Sequence, residues 1–418
     1  VGLNTGDELA TNLTTSFPVI ARRDLANVFS SMLRPRDKQW FYMRPRGREI
    51  SIGSQRWLDR STEIQWRAMY DPNSNFVRAT KEGDNDYSAF GQCAIKVELY
   101  RKTNTLLYRC RHLKDLVWCE SVSGKINEVH ENWKPTAKQL TEFMGKKVHE
   151  KVKALAEKDP YCTVNCRVVV IPSETYSGEK KYRQPFVQFY IDCDNGHIME
   201  ETPQWNLGYV IPRWQTVAGS QYAYSPATVA ALPDARLIQA MTLTLLEAGE
   251  KATNPPMIAV QEAIRSDVSI YPGGITWVDP EYDERLGEVL RPLTNDTSGI
   301  PLGVEMQRDI RQQIMSAFYL DKVNLPQVGD RTTAFEFSQR VSEYVRNAMP
   351  LFEPMEMEYN GGLCEMTFDI LMRNGAFGPI DEIPDEIRGM DIPFVFESPL
   401  SDAKEHGKMQ KFLEAKSV

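Results

Sequence analysis

Histidine is scarce in this chain of 418 residues, cysteine is unpaired in pattern, and long apolar runs are missing. The five histidines, His112, His130, His149, His197 and His406, are dispersed and form no HExxH. His149-Glu150 has no second ligand at metal-binding spacing, so it reads as a surface position. Seven cysteines, an odd and scattered set, exclude a disulfide framework. Cys162 and Cys166 are four apart, but a zinc site needs a second pair and none is near. Reduced, mostly buried thiols of a cytoplasmic product are expected. No apolar run reaches transmembrane length and no signal peptide is visible. The chain begins at Val1, so an initiator Met is expected to have been removed or cut away.

Catalytic signatures are also missing. Pro272-Gly273-Gly274 lacks the lysine of a phosphate-binding loop and reads as a turn between strands. There is no Gly-x-Ser-x-Gly elbow. Glu281/Asp283/Glu284 and Asp381/Glu382/Asp385/Glu386 read as solvated faces before they read as cation sites. No catalytic, cofactor-binding or metal residue is assigned. The net charge of −8 argues against a protein that wraps DNA tightly. With 42% hydrophobic and 25% charged residues, the chain is of folded, not disordered, composition. Its length predicts two or three domains. Internal repeats and low-complexity segments are lacking.

Periodicity assigns most elements. Helices are predicted at Asp24–Leu33, from Ser54 to about Lys81, and at Thr136–Lys158, where Thr136 can cap. Alternation predicts strands between Phe90 and Trp118, at Thr163–Pro172, at Phe186–Cys193 and on toward Trp214. The first 230 residues are therefore an α+β body. Arg34, Arg36, Lys38, Arg44, Arg46 and Arg48 surround Trp40, Phe41 and Tyr42. Such a stretch is a docking edge or ordinary core with a solvated rim, or it binds nucleic acid.

Two further helices bracket an excursion of about fifty residues with strand and turn signals. Pro233 and Asp234 announce the first. Leu237, Ile238, Met241, Leu245 and Ala248 carry its stripe, and Asn254-Pro255-Pro256 ends it. The second runs from about Gly303 to Asp321, with Met306, Ile310, Ile314 and Ala317 on one face. Thr333 to Glu336 has capping-box spacing ahead of a long helix. Pro350 and Pro354 predict a kink or break in it. Gly375 stops it, and Asp391–Phe396 is one more strand.

The order of several short motifs carries a resemblance. Ser225-Pro226, Ala231 to Asp234, Pro255-Pro256, Pro272 to Gly274, Ala317-Phe318-Tyr319 and Ser398-Pro399-Leu400 follow one another over roughly Ile20 to Lys404. In this the chain resembles the head-to-tail connecting (portal) proteins of short-tailed, podovirus-type bacteriophages.

The resemblance implies an α+β portal architecture assembled as a ring, with a dodecamer expected. Residues 1–231 would form an N-terminal wing, 232–253 and 303–322 two stem helices, and 254–302 a small β-containing clip. Residues 323–331 would be a channel loop, 332–400 the rest of the wing with the kinked helix, and 401–418 the start of a crown. Because relatives commonly continue further, the crown here is expected to be short or cut. In the loop, Asp321, Lys322, Asp330 and Arg331 would face DNA. In the clip, Ile270, Ile275, Trp277 and Val278 are a β-capable apolar set that pairs across subunits or forms a hairpin within one chain.

The implied role is a conduit for genome packaging and ejection at one capsid vertex of the virion, assembled in the host cytoplasm. Implied partners are double-stranded DNA, the terminase large subunit, the major capsid and scaffolding proteins, and tail adaptor or nozzle proteins. No membrane and no cofactor are implied. The competing readings are a collar or tail adaptor that binds a portal and, more remotely, a DNA-processing enzyme.

Overall fold

The computed structural model describes residues 13–36, 38–45, 50–100, 103–176, 182–259, 290–292, 299–323, 353–389 and 392–397. Among these, the mixture of helix and sheet is α+β, as the sequence implied. The chain folds as two compact units, one made of residues 1–20 and 230–317, the other of 21–229 and 318–418.

The larger unit, the body, begins in α1 (Phe17–Leu33), which starts seven residues before the predicted Asp24 and buries Leu25, Phe29 and Leu33. β1 (Phe41–Met43) follows, then α2 (Ile52–Met69) and α3 (Phe76–Phe90). A single helix from Ser54 to Lys81 was expected. Asp71-Pro72 breaks it instead: the Asp71 side chain accepts from Asn73 N, and Asn75 takes a left-handed φ of 57°. β2 (Ala94–Tyr100) pairs with β3 (Thr105–Arg111) throughout.

β4 (Leu116–Glu120) and β5 (Ile126–Trp133) form the next hairpin. The predicted helix at Thr136–Lys158 is two, α4 (Ala137–Met144) and α5 (Glu150–Lys158), divided at Gly145 with φ 59°. Thr136 does cap: its Oγ1 accepts from Gln139 N while Gln139 Oε1 accepts from Thr136 N. Strands β6 (Cys166–Pro172), β7 (Phe186–Asp192) and β8 (His197–Gln204) complete an antiparallel sheet in the order β4-β5-β6-β7-β8. α4 and α5 cover one of its faces with Leu140, Val148 and Val152 against Val168, Tyr190 and Met199. β9 (Tyr209–Val210) adds to β2, and β10 (Gln215–Thr216) pairs with β11 (Ala223–Tyr224).

The second unit holds most of α6 (Pro226–Thr253), β12 (Met257–Ala259), β13 (Leu290–Pro292) and α7 (Gly299–Ala317). α6 starts seven residues before the proline taken as its announcement. Ser225 Oγ accepts from Thr228 N and donates to Ser88 O, so a tertiary anchor fixes the true N-terminus and Pro233 lies inside. β12 and β13 pair antiparallel within the chain. α7 ends at Ala317, short of the predicted Asp321. Tyr319, with φ 58°, breaks it ahead of the short α8 (Leu320–Val323).

The body resumes in a π turn, Met355–Asn360, directly after Pro354, where a kink was expected. α9 (Gly361–Arg373) continues it. Asn374 and Gly375 close it, with Gly375 N donating to Met372 O and Ala376 N to Leu371 O. β14 (Phe394–Phe396) pairs with β1, joining residues more than 350 positions apart.

The Arg34–Arg48 stretch is resolved in favour of core where it is described. Trp40 and Phe41 are fully buried, and Arg34 is buried with them. Its guanidinium donates to Asn360 Oδ1 at 2.8 Å, pairs with Asp84 and lies 4.6 Å over the Tyr359 ring. A buried arginine is tolerable only with its charge matched and its donors directed.

Candidate assembly surface

The helix pair is built on one seam. Gln307 Nε2 donates to Thr242 Oγ1 at 2.7 Å, and Gly303 faces Leu245 so closely that a Cβ would stand 2.8 Å from its Cδ2. Those contacts run in opposite directions along the two helices, so α6 and α7 are antiparallel, and helical spacing brings Ile310 and Ile314 to the level of Ile238. All three isoleucines are buried.

A third strand of chain clamps the pair. Gln239 Oε1 accepts from Thr14 N, Thr15 N and Thr14 Oγ1 at 2.7–3.1 Å, while its Nε2 donates to Thr15 O at 2.7 Å. Arg311 lies 5.6 Å over the Phe17 ring. Thr14, Thr15 and Phe17 therefore pack with the helices. One glutamine satisfies several backbone and hydroxyl groups at once, a role without a sequence signature.

Outside the seam the pair exposes large apolar side chains among its charged ones. Leu232, Leu237, Leu243 and Leu246 of α6, with Leu302, Val304 and Met306 of α7, are 45–61% exposed. Leu237 and Met306, expected on the buried stripes, are exposed; helical spacing sets Leu237 opposite Leu246 and Met306 nearly opposite Val304, so the open apolar side chains flank the seam on both sides. α6 is long and apolar enough to cross a membrane by length and composition, which the sequence reading excluded. The added first turns, from Pro226 to Leu232, make the difference. Seven large apolar side chains on two neighbouring helices are unlike the scattered singletons of an ordinary surface, and such exposed flanks mark interaction sites.

Of the predicted channel residues, Asp321 and Lys322 lie in α8, directly after the break at Tyr319. Asp330 and Arg331 fall outside the described residues, as do Ile270, Ile275, Trp277 and Val278 of the predicted clip. Among the described residues no group of His, Cys, Asp and Glu is placed to hold a metal ion. All seven cysteines are free thiols. Burial pushes the Cys166 thiol up to about 12, which keeps it protonated. His149 caps α5 by accepting from Lys151 N.

Comparison with known proteins gives these flanks their setting. The Probable portal protein of Bordetella phage BPP-1 is 24% identical over 413 residues, 96% of this chain and 72% of its own length. The Portal protein of Salmonella phage epsilon15 is also 24% identical, over 295 residues, 68% of this chain; the match spans about half, 51%, of that relative. A chain from "Virion of native gene transfer agent (GTA) particle" aligns with a TM-score of 0.37 and 9% identity, over 93% of this chain and 92% of that one, too loosely to bear on function. Those phage names are of structural, not enzymatic, proteins. A family model, Bacteriophage head to tail connecting protein, matches residues 3–417, and the chain belongs to that family of structural proteins at the head–tail connection of the phage virion.

Proposed function

We propose that this chain is the subunit of a closed portal ring, a dodecamer, at one capsid vertex. α6 and α7 are its stem, and the segment between them is its clip. The observation that carries this reading is the exposed apolar side chains on both flanks of the helix pair. Leu237, Leu243 and Leu246 on one helix and Val304 and Met306 on the other need a cover, and identical stems packed side by side supply one. A lipid cover fits less well, because Asp234 and Arg236 interrupt the apolar stretch and Glu247 and Glu250 follow it.

In this reading the ring is the conduit for genome packaging and ejection. The terminase large subunit docks on the clip and supplies ATP hydrolysis, and tail adaptor or nozzle proteins replace it. Scaffolding and major capsid proteins meet the body during assembly in the host cytoplasm. Lys322 and Arg331, offset by Asp321 and Asp330, give the channel loop weak, balanced contacts to phosphate. Replacing Lys322 and Arg331 by Ala should leave rings intact and lower retention of packaged DNA. Unchanged retention removes that role.

Native mass spectrometry of the purified protein without DNA tests the ring. Twelve copies of the 47.8 kDa chain give a species near ~574 kDa. A closed oligomer at that mass, or one subunit either side, supports the reading. A chain that stays monomeric or dimeric at every concentration overturns it and favours a collar or tail adaptor.

A further inference from the structure

Two charged patches of the body sit at opposite ends of α2. At its C-terminal end is a cleft of 380 Å³ whose lining includes Arg34, Arg36, Tyr70, Phe76, Val77 and Lys81, and among the described residues no acidic side chain lines it. In a chain of net charge −8 that is a local reversal of sign. Arg34 is matched by Asp84 in the core. Arg36 and Lys81 are exposed and have no ion pair among the described residues. Tyr70 Oη accepts from Trp40 Nε1 at 2.9 Å, which leaves its own O–H to donate. Val77 is exposed at the rim. The cleft therefore presents donors and cations beside an apolar wall, which suits a carboxylate-bearing loop with a small apolar neighbour.

Such a loop lies at the other end of the same helix. Between Ile380 and Gly389 the chain carries Asp381, Glu382, Asp385 and Glu386 against a single cation, Arg388. The four carboxylate residues are exposed, while Ile383 and Ile387 are buried and pin the loop to the body beside Leu58 and Met43. Glu386 Oε2 accepts from Ser51 N at 3.0 Å and from Ser54 Oγ at 2.8 Å, at the first turn of α2. Those hydrogen bonds hold its carboxyl below the usual range. Arg388 is matched by Asp385, so Asp381 and Glu382 are left without an ion pair among the described residues.

We infer that the cleft around Arg36 and Lys81 receives the Asp381–Glu386 loop of a second copy of this chain. The inference rests on the ring reading and adds its junction. α2 has 18 residues, so the two patches are separated by about 27 Å on one rigid helix. They cannot meet within one chain. Two complementary patches on different sides of one subunit make a head-to-tail contact, the kind that closes into a ring when the rotation per copy is fixed. Charge complementarity there sets register and discourages wrong pairings more than it adds affinity.

Charge reversal on both sides tests this. Arg36→Glu with Lys81→Glu should speed subunit exchange by roughly tenfold or more, because like charges then face each other at every junction. Asp381→Lys with Asp385→Lys should do the same. The chain carrying all four reversals should recover slow exchange, since each junction is again paired. Circular dichroism and thermal unfolding keep misfolded variants out of the comparison. As a second measurement, a zero-length carbodiimide should join Lys81 of one copy to Asp381, Glu382 or Asp385 of another in the unmodified oligomer.

Closed oligomers whose exchange ignores the reversals, or that cross-link elsewhere only, overturn the inference and leave the ring standing. Reversals that weaken exchange control without recovery in the fourfold variant also overturn it, since complementarity is then not the cause. A wild-type chain that never oligomerises overturns both.

Discussion

In the body large aromatic side chains are fully hidden: Trp40, Trp118, Tyr87, Tyr108 and Tyr359 are all under 2% exposed. In the helix pair many leucines are open, and the large buried side chains are three isoleucines along one seam. The body also encloses charge. Lys96, 5% exposed at its side chain, stands 3.7 Å from Glu98 and 3.8 Å from Glu131, and Glu131 also pairs with Arg111 at 2.9 Å and accepts from Tyr209 Oη. Among the described residues the helix pair has no buried ion pair of this kind; its internal polar contacts include Gln307 to Thr242, Gln239 to Thr15 and Arg311 to Gln307. The body is thus a finished core that specifies itself. The helix pair buries one seam between its own antiparallel helices and leaves apolar side chains open on both flanks of it.

The largest expected loss comes from opening the body's buried charge network. Asp84→Ala leaves Arg34 buried and uncompensated, and should lower unfolding stability by about 3–5 kcal/mol in urea titrations. Replacing both partners, Arg34→Met with Asp84→Leu, should recover most of it. If the single variant costs little, the body's core is wetter than its geometry shows.

Gly91 comes next. It closes α3 with φ 74°, and a Cβ there would stand 2.1 Å from the Tyr224 carbonyl. Gly91→Ala should cost about 2–3 kcal/mol, from positive φ and backbone displacement together. A Tm equal to the parent's would show that the β11 segment shifts freely.

A smaller effect depends on pH. Burial first, and then the nearby Glu353, push the Glu356 carboxyl up to about 7, above the ordinary 4.5. The folded state holds a proton there that the unfolded state releases. The contribution is therefore complete below about pH 4.5 and is lost as pH rises through 7. After discounting for partial exposure the loss is roughly 1–2 kcal/mol. Glu356→Gln should flatten the pH dependence between 5 and 8, measured as urea midpoints.

The smallest effect on stability should be on the open flanks, and it sharpens the contrast most. Leu237→Ser, Leu243→Ser and Leu246→Ser should each change unfolding of the dissociated chain by less than about 0.5 kcal/mol. The same changes should weaken oligomer formation in native mass spectrometry. If instead they destabilise the lone chain, the flanks are part of its own core.

The contrast also explains which elements were legible. The antiparallel helices α6 and α7 show themselves by apolar residues three and four apart, and Thr136-x-x-Gln139 marks the start of α4 by the same local logic. Even the breaks at Asp71-Pro72 and Gly145 had signals, although periodicity running through them read as continuous helix. Tyr319 had none. A tyrosine with positive φ is imposed by packing, and its ring stands 6.4 Å from Trp214. Of the predicted site residues, Asp321 and Lys322 are placed only as far as a short helix after this break.

By itself the sequence determined what depends on neighbours within a turn or two: the α+β alternation, the capping box at Thr136, the two apolar-striped helices and the stop at Gly375. The order of its short motifs also determined the family. Tertiary structure alone decided where α6 begins, since Ser225 is fixed by Ser88, 137 residues away. It alone decided that Thr14 and Thr15 join the helices through Gln239, and that Arg34 is core, matched by partners 50 and 326 residues distant. The physical reason is range. Periodicity and capping are set by contacts that the local chain makes with itself, whereas the burial of a charge or an anchor depends on which distant groups the fold brings within about 3 Å of it.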